Sequence, residues 1–172
     1  PYGTDEPVSP LGAYATSKVA AETAVIEETL GLVSLLIVRM GWLYGGGRRD
    51  FVDKVLERGE AGEDIQIVDD QRGCPTWTRN AAESVLDLID LEMSGTMNVS
   101  DAGETSWCEF ARAVLDMAGI NSTVEGVSSR SFGAPARRPS YSVLDLTETE
   151  LALQRKMMPW RKALQLYMSE RS

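Results

Sequence analysis

The feature that most constrains the fold is a continuous apolar run, VSLLIVRM, at residues 33–40. The run is far shorter than the roughly 20 residues that cross a bilayer, and polar and apolar side chains do not alternate in it. Such a run is typical of a strand buried on both faces, as in a parallel sheet covered by helices. We therefore expect an α/β fold in which the flanking segments supply the covering helices.

The rest of the chain alternates helix-like and strand-like segments, which favours the same class. Gly31 closes the first predicted helix, and two capping boxes, Ser106 with Glu109 and Thr147 with Glu150, precede two later ones. Pro159 opens the last helix, with Trp160, Leu164 and Tyr167 on one side. The predicted helices cover Tyr14–Leu30, Asp50–Arg58, Asn80–Leu91, Ser106–Ala118, a short segment after Thr147 and a segment after Pro159. The other predicted strands are Ile65–Val68 and Thr96–Val99.

Composition excludes several classes of function. The net charge is -9, which disfavours nucleic acid and anionic membranes as partners. The chain has no histidine, so a His-based triad is ruled out, and the two cysteines lack metal-site spacing, so we predict no metal site. We expect Cys74 and Cys108 to fill apolar space. No secretory leader is visible, so a cytoplasmic location is the expectation.

Tyr14 and Lys18 lie four residues apart in the stretch AYATSK, so a helix would place both on one face. A cation within a few ångström favours the phenolate, which allows a tyrosine to hand its proton to a carbonyl oxygen near neutral pH. Alone, the spacing also fits an ordinary surface pair. The neighbouring motifs decide between the two interpretations.

Several ordered motifs carry a resemblance that runs through nearly the whole chain. They are PYGTD leading to PLGAYATSK, then VRMGWLYG, VDDQRGCPTWTRNAAESV, GTMNVSDAGETSWCEFA, ARRPSYSVLD and MPWRKAL. Together they resemble the dTDP-4-dehydrorhamnose reductases of the extended short-chain dehydrogenase/reductase group. Ala15, Ala21 and Gly41 depart from the usual residues of that family. None of the three removes a chemical group that the reaction needs.

The resemblance implies a reaction and a set of residues. In this family NADPH, or NADH, reduces the C4 keto group of dTDP-4-dehydro-6-deoxy-L-mannose to give dTDP-L-rhamnose. By resemblance, Tyr14 donates the proton, and Lys18 assists it and binds the nicotinamide ribose. The resemblance and the local chemistry also suggest a set of residues that contact the dTDP-sugar: Trp42, by stacking on the sugar or walling it, Asp70, Gln71, Thr76 and one of Arg137 and Arg138, for which we choose Arg138.

The sequence contains no G-x-x-G-x-x-G turn after an opening strand, the turn that holds the cofactor pyrophosphate in this group. Gly45 to Gly47 follow a late strand, so we interpret them as a loop. We therefore expect residues 1–172 to form the C-terminal, substrate-binding part of such a reductase, without the N-terminal dinucleotide-binding region. The expected fold is an incomplete Rossmann-like one with a small sugar-nucleotide-binding subdomain. Alone, it should neither bind NADPH nor reduce the sugar.

Other functions stay open on the sequence. One is a nucleotide-sugar epimerase or dehydratase of the same group, although VDDQRGCPT fits the reductase better. Another is a non-catalytic binding protein, similar to the regulatory β-subunit of methionine adenosyltransferase. An uncovered sheet edge and apolar faces would also favour a homodimer or other self-association.

Overall fold

The computed structural model describes residues 1–47, 49–134 and 136–171, and it is of the mixed α/β class. Its helices are α1 (Ala13–Thr29), α2 (Phe51–Glu60), α3 (Thr78–Asp90), α4 (Trp107–Ala118), α5 (Ser129–Phe132), α6 (Thr147–Leu153) and α7 (Trp160–Arg171). Its strands are β1 (Leu36–Arg39), β2 (Leu43–Tyr44), β3 (Ile65–Val68), β4 (Arg72–Gly73), β5 (Thr76–Trp77), β6 (Gly95–Asn98), β7 (Thr105–Ser106) and β8 (Val124–Val127).

The strands associate in pairs, and three of the pairs are parallel: β1 with β6, β2 with β5, and β3 with β8. The fourth pair, β4 with β7, is antiparallel. In the register of the first pair Leu36 lies opposite Gly95 and Arg39 opposite Asn98. Parallel pairs need crossover connections, and helices supply them here, as the alternation in the sequence predicts.

The predicted strand at residues 33–40 is confirmed in part. It begins at Leu36, and its four residues are half-buried rather than buried on both faces, while Leu32 and Val33 are exposed. The expectation of full burial was wrong because, among the described residues, β1 pairs along one edge only and α1 contributes no buried residue. Predicted strand 65–68 coincides with β3, and the predicted helices agree within a few residues.

Helix caps show where local sequence decides structure. The Ser106 hydroxyl accepts from the Glu109 backbone N–H while the Glu109 carboxylate accepts from the Ser106 N–H, so the predicted capping box is confirmed. The Thr147–Glu150 box is wrong, because α6 has Leu146 at its N-cap and no side-chain cap bond. Glu150 instead accepts from the Met157 N–H at 3.0 Å. An unpredicted box, Asp50 with Asp53, starts α2.

Two apolar clusters form the core. The larger one lies where α2, α4 and α7 pack on β3 and β5, and both cysteines are buried in it, as predicted. The smaller one joins α3 and α6 to β6 through Leu88, Met97 and Val99. Neither core includes a residue of α1, which touches the rest of the domain through four half-buried residues, Ala15, Val19, Glu22 and Thr29. Among the described residues, no helix is both long and apolar enough to cross a bilayer.

Candidate functional site

A cavity of about 450 Å³ opens between the start of α1, the loop after β1 and the segment 138–144. Four of the residues predicted from the sequence line it: Tyr14, Trp42, Gln71 and Arg138. These residues are far apart in the chain, so the fold brings them to one place. The cavity is the candidate site for a ligand of sugar-nucleotide size, since such sites span a few hundred cubic ångström.

Tyr14 and Lys18 lie on the same face of α1, as their spacing predicts. The Lys18 ammonium is 5.5 Å from the centroid of the Tyr14 ring, within the range of a cation–π contact. Tyr14 is 75% exposed and lines the cavity, whereas Lys18 is exposed beside it. The Tyr14 ring can therefore meet a molecule that enters the cavity.

A polar anchor fixes the helix that carries this pair. Arg39, at the end of β1, donates from Nε to Glu22 Oε2 at 3.1 Å and forms an ion pair with the same carboxylate. The Arg39 guanidinium also donates to the Thr4 carbonyl at 3.1 Å. Both partners of the ion pair are half-buried, so the pair is less screened than a surface one. Arg39 therefore holds α1 and the N-terminal segment against β1.

Trp42 adopts an unusual backbone conformation for a bulky residue, with φ at 52°. Its indole stacks on that of Trp107, with ring centroids 3.6 Å apart and planes inclined by 10°. Both rings line the cavity. Strain at one residue persists only where its surroundings fix it, and such strain tends to occur at functional sites.

The remaining predicted residues divide between the cavity and its support. Gln71 is buried, lines the cavity and donates from Nε2 to the Ser129 hydroxyl at 2.8 Å. Asp70 does not line it; its carboxylate accepts from the Ser129 hydroxyl at 2.5 Å and from the Ser129 N–H at 2.8 Å, and these two bonds lower the pKa of Asp70. Thr76 is fully buried and donates to the Cys74 carbonyl. The structure thus places Asp70 and Thr76 outside this cavity.

The charged residues that line the cavity are arginines, although the chain as a whole is acidic. Arg39 and Arg138 both line it. Arg39 is neutralised by Glu22, but Arg138 forms no ion pair with any residue in the described part of the chain. An arginine with its guanidinium free can bind a phosphate through two parallel hydrogen bonds.

Behind the cavity lies a buried polar group that the sequence reasoning missed. Asp101 is almost fully enclosed; it accepts from the Trp77 N–H at 2.9 Å and from Asn80 Nδ2 at 2.7 Å. Burial raises the pKa of the Asp101 carboxyl to about 6, which these two bonds oppose. Burial also raises the pKa of the neighbouring Cys74 thiol, to about 12, so Cys74 is no nucleophile at neutral pH.

Sequence reasoning also missed Arg39, Ser100 and Trp107 as cavity residues. A usable signal existed, since Arg39 ends β1 and Ser100 follows β6, and the carboxyl ends of parallel strands meet at one edge of a sheet. Trp77 and Trp160 are buried in the core, whereas Trp107 both packs on the core and lines the cavity.

The described residues contain no cluster of acidic or sulfur ligands suited to a metal ion. The glycines at 45–47 lie between β2 and α2, but Asp50 closes the N-terminus of that helix by accepting from Val52 and Asp53 N–H. Asp50 also accepts from the Gly45 N–H at 2.6 Å. A carboxylate thus occupies the place where a phosphate would bind.

Comparison with known proteins agrees with this geometry. The whole chain, residues 1–172, matches the family model described as the RmlD substrate binding domain, and the chain belongs to that family. It is 36% identical over its full length to the spore coat polysaccharide biosynthesis protein SpsK of Bacillus subtilis, covering 59% of that protein. It is 38% identical over 95% of its length to a dTDP-4-dehydrorhamnose reductase of Mycobacterium tuberculosis, covering 54% of it.

Solved structures give the same result. A dTDP-4-dehydrorhamnose reductase of Bacillus anthracis in complex with NADP superposes with a TM-score of 0.92 at 33% identity. The match covers 98% of this chain and 59% of that one. The chain thus spans little more than half the length of the relatives it matches. The predicted incomplete Rossmann-like fold is confirmed.

Proposed function

We propose that this chain is the sugar-nucleotide-binding part of an NADPH-dependent reductase that converts dTDP-4-dehydro-6-deoxy-L-mannose to dTDP-L-rhamnose. The observation that carries the proposal is the single cavity that collects Tyr14, Trp42, Gln71 and Arg138. An aromatic side chain and a buried amide suit the sugar, and a guanidinium without an ion-pair partner among the described residues suits the diphosphate. The reductases among the relatives support the choice of reaction.

Each residue has a distinct part in the proposed reaction. The Tyr14 hydroxyl gives its proton to the C4 oxygen of the sugar as that oxygen gains negative charge. Lys18, beside the ring, stabilises the phenolate that remains. Arg138 binds the diphosphate, and Gln71 orients the ligand by a hydrogen bond.

The described residues fit only one end of the nicotinamide cofactor. Tyr14 and Lys18 could hold its ribose, whereas the helix N-terminus next to the glycine loop carries its own carboxylate cap. The bound cofactor would supply hydride to the C4 carbon. Because the pyrophosphate turn is absent from the sequence, we propose that this chain alone binds the sugar nucleotide but not NADPH, and does not reduce the sugar.

Calorimetric titration of the purified chain with dTDP-rhamnose and, separately, with NADPH tests this. We expect heat of binding with the first ligand only. Arg138→Gln should weaken binding of dTDP-rhamnose about tenfold, because it removes a charge-assisted hydrogen bond. Its matched control is Arg137→Gln, since Arg137 is the adjacent arginine and does not line the cavity.

Two results would contradict the proposal. Absence of any binding of dTDP-rhamnose would remove the substrate assignment. Oxidation of NADPH by this chain alone, in the presence of the keto sugar, would show that the chain needs no further cofactor-binding region.

A further inference from the structure

The Trp42 indole is enclosed on one face by another indole. The Trp42 and Trp107 rings are nearly parallel at a centroid distance of 3.6 Å, which is direct contact. Phe51 also packs on Trp107, with its ring centroid 4.6 Å away and the ring planes inclined by 49°. The face that the two indoles share is therefore not free to receive a sugar.

Gly73 covers the other face of Trp42. A Cβ atom placed on Gly73 would lie 2.6 Å from the indole Nε1 and 2.7 Å from Cζ2, and closer still to Cε2 between them. If this Cβ lay in the plane of the indole, outside the ring edge, it would be nearer to Nε1 and Cζ2 than to Cε2, the atom between them. It is nearer to Cε2, so Gly73 lies over the ring face. Trp107 fills the opposite face, because both groups could not fit on the same side.

The edge of Trp42 is what remains open. Among the described residues, the buried polar side-chain atoms without a partner are the Tyr44 hydroxyl and Asn98 Oδ1. The Trp42 indole N–H makes no hydrogen bond to another described residue, and it is not among those buried atoms, so it is not fully enclosed. An indole edge can donate one hydrogen bond to an oxygen of a ligand.

We propose that Trp107 and Gly73 are positioning residues that hold the Trp42 indole edge-on to the cavity. A sugar then meets the indole edge and its N–H, and it does not stack on the ring. The positive φ of Trp42, at 52°, is found at the same residue. We call the placement of the Trp42 indole between Trp107 and Gly73 the clamp. The identity of the ligand rests on the proposed function, whereas the clamp rests on the geometry alone.

The test is a ¹H–¹⁵N spectrum of the four indole groups of the chain, each assigned by its own Trp→Phe variant. A ring at 3.6 Å shifts the resonances of its neighbour strongly, so Trp107→Leu should move the Trp42 signal and leave those of Trp77 and Trp160 in place. Trp107→Phe, which keeps an aromatic face, should restore most of the shift. An unmoved Trp42 signal in Trp107→Leu would overturn the proposal.

Titration with dTDP-rhamnose adds the functional part. In the wild-type chain the Trp42 N–H signal should shift on binding, and Trp107→Leu should weaken the affinity about tenfold, the equivalent of one aromatic pair. Gly73→Ala should act in the same direction, since its Cβ would displace the indole. Affinity unchanged in both variants would refute a positioning role.

Two controls separate positioning from simple loss of stability. Among the described residues, a Cβ added by Gly46→Ala meets Thr78 Cγ2 at 3.5 Å, an ordinary contact, so this variant should leave the Trp42 signal and the affinity unchanged. Leu164→Ala removes a fully buried side chain of the core and should lower the melting temperature without weakening binding. If the wild-type chain fails to bind dTDP-rhamnose, the proposed function fails, and the clamp is judged on the indole spectrum alone.

Discussion

At the scale of single residues, the polar groups buried behind the cavity are linked to one another. Asp101 accepts from the backbone of Trp77 and from Asn80, and its own carbonyl accepts from the Cys74 thiol at 2.7 Å. Such a network joins the end of β6 to the start of α3. The network costs free energy, because it places the Asp101 carboxyl group where its charged form is poorly solvated.

Asp101→Asn should remove a pH dependence of stability. Because the folded-state pKa of about 6 lies above the ordinary value, the folded state keeps a proton that the unfolded state releases. This stabilisation is complete below about pH 4 and is lost as the pH rises through 6, a change of about 3 kcal/mol. Asparagine can keep both bonds if the Asn80 amide turns over. Urea titrations at pH 4 and pH 7.5 should show that the free energy of unfolding of the variant increases relative to that of the wild type as the pH rises.

A constant difference between the two proteins at both pH values would contradict that assignment. Comparison within each pH is needed because other carboxylates respond in the opposite direction. Hydrogen bonds from Ser129 and Thr147 lower the pKa of Asp70 and Asp145, so these groups lose their stabilisation as the pH falls.

Tyr44→Phe should leave stability unchanged or increase it by up to about 1 kcal/mol, because a buried hydroxyl without a partner costs desolvation. Tyr44 is buried, and its hydroxyl bonds to no group in the described part of the chain. Its ring packs against Phe110 and Tyr167, contacts that phenylalanine keeps. Thermal unfolding followed by circular dichroism measures the difference. A clear loss of stability would mean that the hydroxyl has a partner in solution.

The sequence predicted cavity residues where a motif named them and missed those that depend on three-dimensional packing. Tyr14, Trp42, Gln71 and Arg138 follow from motifs, and the cavity collects them. Asp101 reads as an ordinary loop residue in VSDAGE, since nothing local shows that Trp77 and Asn80 will enclose it. Asp70 resembles a ligand contact in sequence, yet its carboxylate is bound to Ser129, on a helix that the sequence did not predict.

At the scale of elements, helix ends depend on side-chain bonds that can be tested one at a time. Ser106→Ala should lower the free energy of unfolding by about 1 kcal/mol, the usual worth of an N-cap. The Ser106 hydroxyl also donates to Asp69, so the cost should not fall below that value. Thr147→Ala is the matched control, because the N-cap residue of α6, Leu146, makes no side-chain cap bond and the Thr147 hydroxyl donates to Asp145, which is exposed.

Chemical denaturation of both variants gives the comparison. Equal losses in Ser106→Ala and Thr147→Ala would contradict the assignment of the two helix starts.

Elements were predictable where the local sequence defined them. Helix α1 was predicted to within one residue, because its sequence is rich in alanine and glutamate and is followed by Gly31, and strand β3 was predicted exactly. The two-residue strands β2, β4, β5 and β7 were not, since each exists only through its partner. Strand β8, VEGV, contains a glycine that weakens its propensity, but Gly126 leaves room for the Asp69 carboxylate.

At the scale of the whole molecule, the uncovered side of β1 is the surface most suited to association. Leu30, Leu32 and Val33 are all more than half exposed beside a strand that pairs along one edge in the described structure. Leu32→Glu should therefore shift the chain toward monomer in light scattering at increasing concentration. Leu151→Glu is the matched control, because Leu151 is as exposed, at 78% against 77%, but lies on α6.

A wild-type chain that stays monomeric at high concentration would refute this prediction. Equal effects of the two substitutions would show that association depends on general surface hydrophobicity and not on the β1 side.

The bridge between Tyr2 and Leu144 also sets a practical limit on how this domain can be shortened. The Tyr2 carbonyl accepts from the Asp145 N–H at 2.8 Å and from Asn98 Nδ2 at 2.9 Å, and the Tyr2 N–H donates to Val143 at 2.7 Å. Tyr2 thus holds one end of the segment that carries Leu144 and Ser142, two residues of the cavity wall, while Arg72 holds the other end through backbone bonds with Ser140 and Ser142. An expression boundary drawn at Gly3 would leave the domain's core intact and would remove two of the backbone hydrogen bonds that hold this wall.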